Sequence, residues 1–348
     1  MERADPGDGG GTRRQRHPRQ LHDPRLGPHQ TGRHRRAALA RGRRRHDPVA
    51  GARRRRRDRA VLQGQGAVPV VKAPNLFVVG APRCGTTSLF AALKQHPDVY
   101  ASVLKEPHFH APDLPAQPHT VSDPDDYARL FAAAGDQRIR AEASVWYLYS
   151  REAPMRIAQA HPDARIVVLL RNPADMAISL YELYLRTGNE AETDPESALL
   201  RTRQTRFATS YFPFGLHYLQ LMDVATPLAR WRACFPGKRM RVLLFDEFYR
   251  APEAGFRELG QWLGIDPDVA VSFDARRARE AVRMTAMKQL RDLPEYLRRK
   301  LNPDASRLHS GKAATTIPAT LRARLRDHAR EVNAGFAAAA ARPWPEAW

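Results

Sequence analysis

From Asn75 onward the chain alternates short apolar runs with amphipathic stretches. Leu76-Phe77-Val78-Val79, Val99-Tyr100-Ala101, Arg165 to Leu170 and Met240 to Phe245 are rich in β-branched, aromatic and aliphatic residues, a pattern that predicts buried strands. Arg138 to Ser144 is a further strand candidate. Behind Thr86-Thr87-Ser88, the residues Leu89, Phe90 and Leu93 recur at helical spacing. Asp123 to Ala134 predicts a helix capped by Ser122, with Tyr127, Leu130 and Phe131 on its apolar face. Pro173 suits the first turn of another helix, and Pro252 to Leu263 predicts one more. Gly215, Tyr218 and Trp231 fall on one long helical stretch whose aromatics face the core, while residues 187–211 are polar and irregular. Strands alternating with helices predict an α/β fold, a three-layer sandwich with a mainly parallel central sheet flanked by helices.

Length permits one large α/β domain or two small ones, since the chain has 348 residues. Its formal net charge of +20 would ordinarily point to a polyanion partner. The distribution weakens that inference, because about 19 of the basic and 6 of the acidic residues precede Val61. That arm, with Arg53 to Arg57 in an unbroken run, has no apolar periodicity and cannot bury a core. It reads as a basic tail, a disordered extension or an over-long translation start. The division expected is therefore an Arg-rich arm over 1–70 and a folded domain over 71–348, with no stable nucleic-acid partner. No stretch has the apolar length of a signal peptide or a membrane span. Two cysteines, Cys84 and Cys234, form no framework, and no Cys/His spacing suggests a metal. These features favour a cytoplasmic location.

Gly80 and Gly85 bracket a loop between the first strand and the first helix. Such a loop converges backbone N–H groups on an anion and adds the positive end of a helix dipole; the bland reading is a glycine turn with no ligand. A nucleotide-hydrolysing P-loop carries lysine after its second glycine. Here Thr86 occupies that place and the cation sits inside the loop as Arg83, which suits a single phosphate ester better than a metal-bound triphosphate. Cys84 fits the tight turn, and the neighbouring arginine and helix N-terminus could make it oxidation-sensitive. Lys105, Glu106 and His108 offer a base and a cation within four residues, or else a solvated connection. Arg171 at a strand end, with Ser179 on the following helix, suits a terminal phosphate, or else a structural ion pair.

The run from Gly80 to Leu89, Gly-Ala-Pro-Arg-Cys-Gly-Thr-Thr-Ser-Leu, resembles the 5′-phosphosulfate loop of the sulfotransferases, enzymes that use 3′-phosphoadenosine 5′-phosphosulfate (PAPS). The family usually has lysine at the place of Arg83; arginine keeps the charge and changes the geometry. Arg171-Asn172-Pro173-Ala174-Asp175-Met176-Ala177-Ile178-Ser179 is similar to the family's 3′-phosphate motif. Lys105-Glu106-Pro107-His108-Phe109-His110 resembles a segment of the carbohydrate and bacterial members, including the heparan-type enzymes. The resemblance implies a P-loop-like fold and PAPS as co-substrate, with no metal required. It further implies that Arg83, Cys84, Gly85, Thr86, Thr87 and Ser88 form the 5′ loop, while Arg171 and Ser179 hold the 3′-phosphate. Glu106 is then the general base, His108 assists, and Lys105 lies near the sulfuryl oxygens. His110 departs from the usual aromatic and has no assigned role. Glu142-Ala143-Ser144, with Trp146 and Tyr147, resembles a step near the acceptor, or is an ordinary strand end. Lys312, in a basic stretch near the C-terminus, would reach over the nucleotide's phosphates. The expected function is sulfuryl transfer from PAPS to a hydroxyl or amine of a saccharide or other small molecule. The alternatives are a P-loop nucleotide kinase and a basic nucleic-acid-binding protein.

Overall fold

The structure is a computed structural model that describes residues 72–117, 119–201, 210–273 and 316–348. The arm over 1–70 and Lys312 lie outside the described residues. Within them, β1 (Leu76–Gly80), β2 (Val99–Ala101), β3 (Ile139–Ala143), β4 (Arg165–Leu170) and β5 (Met240–Leu244) form one parallel sheet in the order β2-β3-β1-β4-β5. β1 is central, with Leu76 beside Ala141 on one flank and Arg165 on the other. Leu76, Phe77, Val79, Ile166, Val167 and Val168 are all fully buried. Successive strand residues point to opposite faces, so total burial requires a layer on each side of the sheet. Each such side chain stabilises the fold by roughly 1.5–3 kcal/mol.

Helices α1 (Thr86–Leu93), α2 (Pro124–Arg129), α3 (Ala153–Ala160) and α4 (Pro173–Thr187) follow β1 to β4 in turn. The chain leaves β1 toward β2 on one flank and leaves β4 toward β5 on the other. Strand order therefore reverses between β1 and β4, and the loops after these two strands face one crevice. The Gly80 to Gly85 loop and the Arg171 to Ser179 segment meet in this crevice.

Several boundaries differ from the sequence reading. Asp123, not Ser122, caps α2, its carboxylate accepting from the N–H groups of Asp125 at 2.9 Å and Asp126 at 3.0 Å. The helix ends early, and the Tyr100 hydroxyl donates to the Leu130 carbonyl at 3.0 Å while Leu130 and Phe131 remain buried. After α5 (Pro195–Leu199), the single helix expected around Gly215 to Trp231 is three pieces: a 3-10 turn over Pro213–Leu216, α6 (Tyr218–Leu221) and α7 (Ala225–Cys234). Asn333 enters that break, accepting from the N–H groups of Val224 and Ala225 at 2.9 Å each and donating to the Met222 carbonyl at 2.8 Å. Phe245, expected to end a strand, instead opens α8 (Phe245–Phe248), and α9 (Pro252–Leu263) follows as predicted. Tyr218 and Trp231 are core residues. The last described elements are α10 (Ala319–Val332), which packs on α4 and α6, and α11 (Phe336–Ala340), which packs on α7.

Candidate active site

The loop from Gly80 to Gly85 is shaped by close packing. A Cβ on Gly80 would stand 2.7 Å from Leu148 Cβ, and one on Gly85 would stand 2.4 Å from the Tyr249 ring. Gly85 also has φ of 83°, and the Tyr249 hydroxyl donates to its carbonyl at 2.6 Å. No side chain caps α1 behind it, which leaves that helix end without a competing side-chain acceptor. Arg83 adopts φ of 62°, a left-handed conformation uncommon outside glycine, and it turns outward from the loop. Cys84 turns inward: it is fully buried, its thiol donates to the Pro82 carbonyl at 3.3 Å, and burial pushes that thiol up to about 12. The oxidation-sensitive thiol considered from sequence is therefore corrected, because desolvation outweighs the nearby arginines. With its side chain buried, Cys84 can meet a ligand only through its backbone.

Three contacts bring the second motif against this loop. The Ala81 N–H donates to the Leu169 carbonyl at 2.6 Å, the Arg171 backbone reaches the Cys84 thiol, and Arg83 Nε donates to Ser179 Oγ at 3.0 Å. Asn172 caps α4 by accepting from the Ala174 N–H at 3.0 Å, which sets Arg171 just before the helix and Ser179 two turns into it. Arg171 lies over the Phe245 ring, 5.2 Å from its centroid. Desolvation, followed by the charges of Arg186 and Arg171, holds the Arg83 guanidinium below its ordinary value. Like charges gathered in this way repel one another, and a bound anion relieves the repulsion. Asp175, to which the sequence assigned no role, pairs with Arg322, and with Arg326 at 3.7 Å, fastening α10 to α4.

The third cluster stands across the cleft. Glu106 accepts from Lys105 Nζ on one carboxylate oxygen and from the Val145 N–H at 2.8 Å on the other. His108 Nε2 lies 3.2 Å from that second oxygen. Burial pushes the Glu106 carboxyl up, but Lys105 and then His108 outweigh it and hold the group at about 2. A cleft of about 240 Å³ brings Arg83, Thr86 and Thr87 together with Lys105 and Glu106. Trp146, Leu180, Leu183, Tyr184 and Tyr211 also line it. His108 is buried behind Glu106, and Ser88 is half-buried beside the loop. His110 is a core residue, ringed by Phe77, Phe109, Tyr127 and His161, and burial pushes its imidazole down to about 3. Of the Glu142 to Tyr147 step, Trp146 reaches the cleft while Glu142 is fully buried beneath it. Among the described residues, no group of three or more His, Cys, Asp or Glu is placed to hold a metal ion, and no helix is long and apolar enough to cross a membrane.

Fold and site together define a P-loop-like α/β protein with a cationic cleft facing a carboxylate. The sulfotransferase domain family matches residues 73–332, and the chain belongs to that family. It is 31% identical to a sulfotransferase from Alicyclobacillus acidocaldarius, with a TM-score of 0.54 over 68% of this chain and 98% of that one. It is 28% identical over 203 residues to bifunctional heparan sulfate N-deacetylase/N-sulfotransferase 2 of Homo sapiens, a match covering 56% of this chain and 22% of that protein. Heparan sulfate glucosamine 3-O-sulfotransferase 3B1 of Homo sapiens is 27% identical over 192 residues, or 55% of this chain and 46% of that protein. The chain thus spans less than half the length of these two curated relatives.

Proposed function

We propose that this sulfotransferase moves a sulfuryl group from PAPS to a hydroxyl or amine of a carbohydrate or other small-molecule acceptor, in the cytoplasm. The observation that carries the reading is the single cleft in which Arg83, Thr86 and Thr87 face Lys105 and Glu106. The donor set fits the nucleotide, because guanidiniums and hydroxyls line the places where two separate phosphates would be gripped. Arg171 and Ser179 take the 3′-phosphate, while the loop amides with Thr86, Thr87 and Ser88 take the 5′-phosphate. The side chain of Arg83 steadies the leaving phosphate oxygen. PAPS supplies the sulfuryl group.

Glu106 takes the acceptor's proton as the acceptor oxygen or nitrogen bonds to sulfur and the bond from sulfur to the bridging phosphate oxygen breaks; that oxygen keeps the electron pair. A carboxylate held at about 2 is a weak base while Lys105 is bound to it. The anionic sulfuryl oxygens compete for Lys105, and as its charge is drawn away the Glu106 carboxylate becomes more basic. His108 steadies the far oxygen of Glu106 throughout.

The reading is tested with labelled PAPS and three acceptors, a glucosamine oligosaccharide, p-nitrophenol and n-octanol, followed by mass spectrometry of host extracts for an added sulfate. Label transferred to any acceptor supports it. No transfer, together with Mg–ATP bound more tightly than 3′-phosphoadenosine 5′-phosphate in calorimetry, would favour the kinase reading instead.

A further inference from the structure

The segment that carries the proposed base is held by a pattern of alternate bonds. The Glu106 N–H donates to the Ala143 carbonyl at 2.8 Å, the His108 N–H to Ser144 Oγ at 3.1 Å, and the His110 N–H to the Tyr147 hydroxyl at 3.0 Å. The first bond looks like the continuation of a strand ladder. The other two use hydroxyls, because beyond Ser144 the chain winds into a 3-10 turn over Val145–Leu148 whose backbone no longer runs as a strand. A hydroxyl presents its lone pairs to a loop N–H reliably only when its own proton is committed elsewhere.

Glu142 is where those protons go. Ser144 Oγ donates to one of its carboxylate oxygens at 2.7 Å, and the hydroxyls of Tyr147 and Tyr127 donate to the other at 3.1 and 2.7 Å. The side chain is fully buried, at 0% exposure, and never reaches the cleft. A buried carboxylate is costly unless hydrogen-bonded, and here the hydroxyls of Ser144, Tyr147 and Tyr127 supply the hydrogen bonds. Burial pushes the Glu142 carboxyl up to about 7, against the pull of Ser144, Tyr127, Tyr147 and His108. Glu106 and His108 meanwhile adopt φ of 66° and 52°, a conformation that persists for such residues only when the surroundings enforce it.

We propose that Glu142 is a positioning residue of the transfer site, holding the backbone of Glu106 to His110 in place through the hydroxyls of Ser144 and Tyr147. It rests on the base role given to Glu106, and it adds that the geometry of this base is set by a carboxylate that touches neither substrate. The carboxyl oxygens of Glu142 accept from two hydroxyls, the hydroxyls hold two loop N–H groups, and the loop aims Glu106 at the cleft.

The test uses the full chain with Glu142→Gln and Ser144→Ala, and with Ser144→Thr as the conservative variant that keeps a hydroxyl. Amide hydrogen exchange of a peptide over 104–111 is read beside that of α4. It is followed by turnover with the best of the three acceptors above and by calorimetric titration with 3′-phosphoadenosine 5′-phosphate. Glu142→Gln and Ser144→Ala are expected to speed exchange over 104–111 at least tenfold on an order-of-magnitude scale and leave α4 unchanged. Both should lower kcat by about 10²-fold, the scale of a displaced reacting group, with nucleotide affinity within about twofold. Ser144→Thr should restore both. Unchanged exchange in folded Ser144→Ala, turnover within about twofold of the parent, or nucleotide affinity falling in step with kcat would each overturn the proposal. Should Glu142→Gln fail to fold, Ser144→Ala decides. The exchange readout needs no substrate, so it judges the brace even if no acceptor is sulfated and the transfer reading itself fails.

Discussion

Replacing Glu106 with glutamine tests the centre of the site in two independent ways. The amide keeps the shape of the side chain and can still accept from the Val145 N–H, but it removes the charge that meets Lys105 and His108. General-base catalysis contributes about 10²–10⁴-fold, so turnover should fall by at least about 10²-fold. Affinity for 3′-phosphoadenosine 5′-phosphate should stay within about twofold, because the residues proposed to hold its phosphates are Arg171, Ser179 and those of the Gly80 to Ser88 loop, not Glu106. The second readout is stability. Glu106 is held at about 2 against an ordinary value of 4.5. The unfolded chain therefore binds this proton first as pH falls, and the contribution is full above about pH 4.5 and lost as pH falls through about 2. A difference of about 2.5 units corresponds to roughly 3 kcal/mol at pH 7, of which about 2 kcal/mol is gone by pH 3. Glu106→Gln should be less stable than the parent at pH 7 and show a shallower loss between pH 5 and 3, measured by urea unfolding. Near-parental turnover would transfer the base role to His108. An unaltered acid slope would refute the electrostatic account of the carboxylate.

Arg171→Ala should weaken 3′-phosphoadenosine 5′-phosphate by about 10- to 100-fold, the worth of a charge-assisted hydrogen bond, and leave the acceptor KM within about twofold. Equal losses for nucleotide and acceptor would contradict its assignment to the 3′-phosphate. His110, pushed down to about 3 from 6.5, binds its proton in the unfolded chain first, so stability falls as pH drops below about 6.5. His110→Phe should remove roughly 2 kcal/mol of the loss between pH 7 and 5, and an unchanged slope in urea unfolding would refute this. Cys84 is buried and Cys234 partly exposed, so a thiol reagent at pH 8 should modify Cys234 in the folded protein and spare Cys84 until unfolding. Rapid labelling of both would contradict the buried placement.

Much of the frame was legible because it is local. The run Leu76 to Val79 has one physical solution, a strand covered on both faces, and Gly80 and Gly85 announce a turn that no larger residue fits. Pro173 and Asn172 likewise mark the start of α4 by chemistry confined to one turn. The helix breaks were not legible. Asn333 ends the stretch before α7 from more than a hundred positions away, and Asp175 reveals its purpose only when Arg322 and Arg326 arrive from α10.

The amino-acid order alone marked the Gly80 to Gly85 loop, the Arg171 to Ser179 motif, the Lys105-Glu106-His108 cluster and an α/β class, since each rests on neighbours in the chain. Tertiary structure alone decided that Arg83 meets Ser179, that Glu106 faces Thr86 and Thr87 across one cleft, and that Cys84 and His110 belong to the core. The difference is physical. Propensity and turn chemistry act over a few residues, whereas burial and charge depend on what the folded chain brings near, and the same thiol or imidazole is reactive or inert according to that surrounding.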